Sequence, residues 1–166
     1  MAIWVRLAEW VLVEGDFPEP VAGSMLTHVG IRVYGDVSQV GDIDCDGLVA
    51  ESNPINPRLT IPIYTVTGRV ESSQDFSASE GSGSKHAGLE LVLNAMGHRL
   101  QAQVAGHARD VHVGAHVSVR GELFVIGAYE WESFGLVDTR DDWFIEEVLR
   151  KADGDFWLLL VAPLAN

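Results

Sequence analysis

The sequence predicts a mainly β protein built on a small barrel. Apolar and polar residues alternate with a period of two in four segments between Pro62 and Ile126. In the first segment, Tyr64, Val66 and Val70 share one face, and the polar residues between them share the other. Successive strands of this kind, separated by turn residues, are typical of an antiparallel sheet with one buried face. We therefore predict a barrel of five antiparallel strands, with an additional N-terminal β-hairpin or extension.

The composition is that of a globular protein with a substantial core. The chain has 166 residues, of which 47% are hydrophobic and 21% are charged. No apolar run approaches the roughly 20 residues of a membrane span, and the first residues do not resemble a secretory signal. A single cysteine, Cys45, excludes an internal disulfide bond. These features predict a cytoplasmic protein that does not act at a membrane.

The net charge of −13 is concentrated at the two ends of the sequence. Residues 1–60 and 127–166 each contain nine acids and three bases, whereas residues 61–126 contain six acids and five bases. Such a field disfavours the phosphate contacts on which nucleic-acid affinity depends. It favours solubility or a basic protein partner.

The first 60 residues are predicted to form an extension that packs on the barrel. Alternation predicts strands at Ile3–Val13 and Leu26–Val33, which we expect to pair as a long hairpin. The proline-rich stretch from Ser52 to Pro62 is the best candidate for an internal boundary. We therefore assign residues 1–60 to the extension and 61–166 to the barrel and a C-terminal strand, within one structural unit.

Three alternate aspartates precede a glycine in a pattern that resembles the first half of a calcium loop. They are Asp42, Asp44 and Asp46, and Gly47 follows them. The closing acid at the twelfth position is missing, because Asn53 stands there. A turn between strands Val37–Val40 and Leu48–Glu51 accounts for the same residues and is favoured, with calcium binding as the alternative.

The segment Ser72–Ser84 is rich in serine and glycine and is predicted to be the most mobile part of the chain. It reads as a loop between the first two barrel strands. Its apolar residue Phe76 suggests an alternative, in which the loop becomes ordered on a partner. A tighter turn, at Asn94–His98 with Gly97 in the left-handed region, is predicted to join the next two strands.

The segment Val113–Leu123 resembles the fourth strand of OB-fold domains, which often contains the pattern G-x-x-V-x-V-x-G-x-L. Here Gly114, Val117, Val119, Gly121 and Leu123 carry the resemblance, and Gly68 of the first strand adds to it. The resemblance covers Pro62 to about Leu149 and implies a small closed barrel with single-strand nucleic-acid binding as one function. The sequence departs from that pattern in two ways: it has no clear helix between the third and fourth strands, and it lacks most of the stacking aromatics.

The C-terminal part is predicted to close the barrel. Gly127–Gly135 reads as an acidic and aromatic loop, and Trp143–Lys151 as the closing strand, although its spacing also fits a helix. A final strand, Phe156–Val161, is apolar on both faces and should be buried.

Two surfaces are candidates for binding. The first is a polar patch on the outer barrel wall, and the second is a pair of aromatic anchors with an acidic rim. The patch comprises Arg69, Arg99, Gln101, Gln103 and Arg120, and the anchors are Trp131 and Phe134. His107, His112 and His116 are close in sequence, but their spacing does not suit one zinc ion on a strand.

Function is less constrained than fold. No nucleophile elbow or phosphate loop is present, so the sequence predicts no enzyme and no cofactor. We expect a non-catalytic binding or accessory protein that acts through protein–protein contacts of an acidic β-barrel, with a basic protein as one kind of partner. A single-stranded nucleic-acid binder and a calcium-binding β protein are the alternatives.

Overall fold

The structure is a computed structural model, and it describes residues 1–15, 17–41, 46–51, 60–77, 87–105, 111–151 and 153–162. These residues form two compact units. Unit 1 comprises Met1–Ile31, Asn53–Pro62 and Glu122–Asn166, and unit 2 comprises Arg32–Ser52 and Ile63–Gly121.

The described residues are mainly β, as the sequence predicts. The strands are β1 (Ala2–Leu7), β2 (Met25–Val29), β3 (Ile31–Val40), β4 (Gly47–Ala50), β5 (Tyr64–Ser77), β6 (Ala87–Ala95), β7 (His98–Ala105), β8 (His116–Val125), β9 (Asp141–Arg150) and β10 (Phe156–Val161). Two short helices, α1 (Glu9–Val13) and α2 (Ala128–Phe134), join some of them.

Unit 2 is a closed barrel of five strands. Around the barrel, β5 pairs with β6, β6 with β7, β7 with β3, β3 with β8, and β8 with β5 again. The short strand β4 adds to one side of β5. The predicted alternation is confirmed, since the inward residues of the four segments are all buried: Tyr64, Val66, Val70, Leu89, Leu91, Leu93, Leu100, Ala102, Val104, Val117 and Val119.

The strand that closes the barrel is not the one that the sequence predicts. Strand β9, which contains Trp143–Arg150, is a strand as expected, but it pairs with β10 and β2. The fifth barrel strand is β3, which pairs in parallel with β7 over Arg32–Gly35. The barrel is therefore mixed rather than purely antiparallel. Both edges of β9 are hydrogen-bonded to neighbouring strands, so β9 has no free edge that could pair with a strand of the barrel.

Two glycines allow β3 and β8 to cross closely within unit 2. A Cβ atom on Gly121 would overlap the carbonyl oxygen of Tyr34, and one on Gly35 would overlap that of Arg120. Only glycine fits at these positions, because the contacting atoms belong to the backbone and cannot move aside as a flexible side chain could. Gly121 therefore allows β8 to approach β3 closely.

Unit 1 contains a separate run of paired strands, in the order β2, β9, β10 and β1. The end of β8 joins β1 in parallel, with Arg6 opposite Phe124. The predicted hairpin between Ile3–Val13 and Leu26–Val33 is wrong, because β1 pairs with β10 and β2 pairs with β9. The final strand β10 is confirmed, and Trp157, Leu158 and Leu160 are completely buried.

Two predicted segments of unit 1 are helices instead. Residues 9–13, expected to continue the first strand, form α1, and the backbone N–H of Glu9 donates to Asp155 Oδ1 at 3.0 Å. The cap therefore comes from a residue far along the chain. The expected loop at 127–135 contains α2, which ends at Gly135 in the left-handed region.

The first barrel strand is longer than predicted. Ser72–Ser77 belong to β5 and pair with β6, because backbone hydrogen bonds to β6 do not depend on apolar side chains. Residues 78–84 of the predicted loop lie outside the described residues, and so do Asp42, Asp44 and most of the stretch 52–62. The turn before β7 is confirmed, with Met96 at φ 54° and Gly97 at φ 81°.

No helix among the described residues is long and apolar enough to cross a membrane.

Candidate functional site

The predicted polar patch lies on the outer wall of the unit 2 barrel. Strand register places Arg69 beside Asn94, and Asn94 beside Arg99, in one row across β5, β6 and β7. Arg120 is paired with Thr65, four residues along β5 from Arg69. At the rise of a strand this separation is about 13 Å. The structure thus brings Arg69 and Arg99 into one row and leaves Arg120 further along the wall.

Arg120 forms an ion pair with Glu51. Its Nε lies 2.7 Å from Glu51 Oε1 and 2.8 Å from Oε2, and the Thr65 hydroxyl donates to Oε1 at 3.0 Å. The hydrogen bond from Arg120 holds the pKa of Glu51 below its ordinary value, and the same contact raises the pKa of Arg120. Glu51 therefore neutralises the charge that the patch was expected to offer at this position.

Arg99 is neutralised in the same way by Glu71. Arg99 Nε donates to Glu71 Oε2 at 2.7 Å, and Asn94 Nδ2 donates to Oε1 at 2.9 Å. The hydrogen bond from Asn94, together with that from Arg99, lowers the pKa of Glu71. Glu71 lies where the pairing of β5 with β6 shifts register, and its contacts to Asn94 and Arg99 place the carboxylate within the row of bases.

Arg69 is the exposed arginine of this row for which the described part of the chain contains no hydrogen-bond or ion-pair partner. It is paired by register with His116, whose Nε2 lies 3.3 Å from Asp46 Oδ1. One cation per row is a weak basis for contact with a phosphate backbone, since affinity there grows with the number of bases that contact it.

The two glutamines do not belong to an accessible patch. Gln101 is only 1% exposed, and Gln103 is half-buried. Gln101 is paired with Arg32 of β3, which is itself buried and donates through Nε to Glu90 Oε1 at 3.1 Å. Around Arg32, Glu90 and Gln101 the outer wall is therefore closed to solvent, and Gln101 cannot meet a ligand there without rearrangement.

Trp131 has a structural contact in unit 1. Its ring lies against the backbone of Gly30 so closely that a Cβ atom there would overlap it. The guanidinium carbon of Arg140 lies 5.2 Å from the ring centroid. Arg140 is held in turn by Asp138, with Nε to Oδ1 at 2.8 Å and Nη2 to Oδ2 at 2.9 Å. Trp131 thus fixes α2 to the unit and is only half-exposed.

The accessible aromatic residues of this region are neighbours of Trp131. Tyr129 is 60% exposed and Phe134 is 44% exposed on α2, and Trp10 of α1 is 46% exposed. A Cβ on Gly127 would contact the Trp10 ring, so α1 and the start of α2 lie side by side. We use the name helical face for the exposed side chains Trp10, Tyr129, Glu132 and Phe134 of these two helices.

The helical face has no basic residue within either helix. The sequences Glu9–Val13 and Ala128–Phe134 contain three acids and no lysine or arginine. The Oε2 of one of these acids, Glu130, accepts the backbone N–H of Gly127 at 3.1 Å and so caps the first turn of α2. The predicted second surface stays a prediction: Phe134 is exposed, whereas Trp131 packs on Gly30, and sequence reasoning missed the exposed rings of Trp10 and Tyr129.

Of the three aspartates that resemble half of a calcium loop, Asp46 lies within the part of the chain that the structure describes. There, no three His, Cys, Asp or Glu side chains lie close enough to hold a metal ion. Asp46 contacts His116 instead, and Asp42, Asp44 and His107 lie outside the described residues.

One signal in the sequence points to α2. A glycine at the N-cap with glutamate three residues later, and a glycine after the last helical residue, are typical of a helix with defined ends. These residues are Gly127, Glu130 and Gly135. The ion pairs of the barrel wall had no comparable signal, because they depend on strand register.

Comparisons with protein-family models, with curated proteins and with solved structures find no match to this chain.

Proposed function

We propose that this chain is a non-catalytic binding protein whose helical face recognises a basic protein surface. The observation that carries the proposal is the group of exposed rings, Trp10, Tyr129 and Phe134, on two adjacent helices that contain acids and no base. Aromatic residues at the centre of an interface supply most of its binding energy, and surrounding charges select the partner.

The helical face suits this role because it is supported from behind. Trp131 rests on Gly30 and is covered by Arg140, so the exposed rings project from a short helix that is already fixed in place. A preorganised surface loses less conformational entropy on binding than a mobile loop does.

A second candidate function is single-stranded nucleic-acid binding on the barrel wall. It is favoured by the closed five-strand barrel, which we infer to be OB-like with its closing strand β3 placed before the first strand of the pattern. It is opposed by the ion pairs of Arg99 and Arg120, which leave Arg69 as the accessible base of the row. We therefore rank it below protein binding.

The proposal is tested by capture and reconstitution. Full-length protein is immobilised, captured proteins are identified, and each purified candidate is titrated against the wild type and a Tyr129→Ser/Phe134→Ser double variant. We expect a basic partner whose Kd rises at least about tenfold in the double variant, since exposed aromatic anchors act as hot spots. Trp131 is avoided as a test position because its removal would also disturb the attachment of α2.

Phe144 provides the matched control. It is exposed on β9 of the same unit and outside the helical face, so Phe144→Ser should leave the Kd unchanged. A purified partner that binds the wild type and the Tyr129→Ser/Phe134→Ser variant equally well would refute the assignment of the helical face.

A further inference from the structure

A pocket of about 300 Å³ opens beside α1 in unit 1. Val13, Phe17 and Phe156 contribute apolar and aromatic surface to its lining, and Glu9, Glu19 and Arg150 contribute charged groups. The volume is at the lower end of the range for ligand pockets, and it suits one long side chain better than a cofactor.

The fold builds the acidic side of this pocket. The chain turns between β9 and β10 at Gly154, which has φ +92°, and a Cβ there would overlap the carboxylate of Glu9. The backbone of Glu9 is fixed by Asp155, to which its N–H donates. Arg6, the nearest base on β1, is committed to Asp155 through Nε at 2.7 Å. No base among the described residues forms an ion pair with the side chain of Glu9.

The aromatic side of the pocket already accepts a cation. The guanidinium carbon of Arg150 lies 5.6 Å from the centroid of the Phe156 ring. A ring face attracts a cation through its quadrupole, and a nearby carboxylate adds a charge-assisted hydrogen bond. With Glu9 and Glu19 against Arg150, the lining has an excess of one negative charge.

We propose that this pocket receives a lysine or arginine side chain of the basic partner. This inference rests on the proposed function and deepens it, because Glu9 belongs to the same helix as Trp10 of the helical face. The aliphatic stem of such a side chain would lie along Val13 and Phe17, and its charged end would meet Glu9 and Glu19. The pocket would thus select a positively charged side chain, and the exposed rings would supply contact area.

The test uses small mimics of the two side chains, so it does not require the partner. Butylguanidinium and butylammonium are titrated into the full-length ¹⁵N-labelled protein, and the amide shifts of Glu9, Val13 and Gly154 are followed. We expect saturable shifts in the millimolar range, and a Kd that rises at least about fivefold in a Glu9→Gln/Glu19→Gln variant. Arg150→Gln should leave the Kd unchanged or lower it.

The control is Glu146→Gln/Glu147→Gln, which removes the same charge from exposed positions of β9 outside the pocket and should not change the Kd. Equal shifts with butanol would overturn the inference by showing a merely apolar pocket. Stronger binding of butyrate, lost in Arg150→Gln, would overturn it by showing an anion site. If none of the mimics binds but a partner is found whose binding requires Tyr129 and Phe134, the inference about the pocket is refuted and the proposed function still holds.

Discussion

On the barrel wall of unit 2, Arg99 and Arg120 each donate to a carboxylate of the same unit, whereas on the helical face of unit 1 Glu132 has no base in either helix. Strands place residues from distant parts of the sequence opposite each other, so opposite charges there can meet and cancel. Helices as short as α1 and α2 leave little room for pairs at positions i and i+4. The sign of a surface therefore depends on local pairing as much as on the net charge.

The barrel wall depends on the close crossing of β3 and β8, and a substitution there should have the largest effect. Gly121→Ala would place a methyl group on the Tyr34 carbonyl oxygen, and we expect it to lower the free energy of unfolding by about 3 kcal/mol or more. Gly47→Ala is the control, because a Cβ there is no closer than 4.0 Å to a neighbour and should have little effect. Urea titration of both variants measures the difference, and equal stabilities would show that the crossing tolerates separation.

If the ion pairs prevent the barrel wall from binding nucleic acid, removal of the two carboxylates should allow that binding. In Glu51→Gln/Glu71→Gln, Arg120 and Arg99 lose their charged partners. We expect affinity for a short oligothymidylate to rise about tenfold at about 50 mM salt, with a salt slope steeper by about 1.4 from two added phosphate contacts. Fluorescence anisotropy across a salt series measures both quantities.

The matched control for that experiment is Glu146→Gln/Glu147→Gln. It changes the net charge equally, but among the described residues neither glutamate forms an ion pair with an arginine. It should raise affinity only slightly and leave the slope unchanged. The same gain in both variants would mean that net charge alone repels the oligonucleotide. Tight binding by the wild type, lost in Arg69→Ala, would reverse the order of the two proposed functions.

The sequence predicted the structure well where local alternation determines it. It predicted the structure poorly where a strand or a side chain pairs with a residue distant in sequence. The inward faces of β5, β6, β7 and β8 follow from a period of two, and Met96-Gly97 follows from turn chemistry. The closing strand was missed because parallel pairing of β3 with β7 has no local signal. Likewise, Arg120 looked available because only register brings Glu51 to it.

The ion pair between Arg140 and Asp138, which lies against Trp131 of α2, should make stability depend on pH. The side-chain hydrogen bond from Arg140, followed by that from its backbone N–H, holds the pKa of Asp138 well below its ordinary value. A carboxyl with a lowered pKa stabilises the fold above its unfolded pKa of about 3.9 and loses that contribution as the pH falls. Since the Asp138 side chain is 57% exposed, we expect less than about 1 kcal/mol.

Asp138→Asn tests this, with the free energy of unfolding measured between about pH 6 and pH 3. The variant should be less stable than the wild type at the upper end, and the difference should shrink toward the lower end. Glu132→Gln, on the exposed side of α2, serves as the control and should show no such convergence. A constant difference between Asp138→Asn and the wild type would show that the hydrogen bonds act without the charge.

The smallest effect is expected at two residues, one in each unit, whose backbone lies in the left-handed region. Met96 in the β6–β7 turn has φ 54°, and His28 in β2 has φ 59°. Met96 is 55% exposed, so Met96→Asn loses little buried surface, and it should create the favoured Asn-Gly turn and raise stability by about 0.5 kcal/mol. The N–H of His28 donates to Asp142 Oδ1 at 2.8 Å, a backbone contact that His28→Asn retains. Asparagine should therefore relieve strain at both positions, but less at His28, where the irregular pairing of β2 with β9 imposes the conformation regardless of the side chain. Thermal melts of the two single variants measure this difference, and a larger gain at His28 would indicate that its strain comes from the side chain itself.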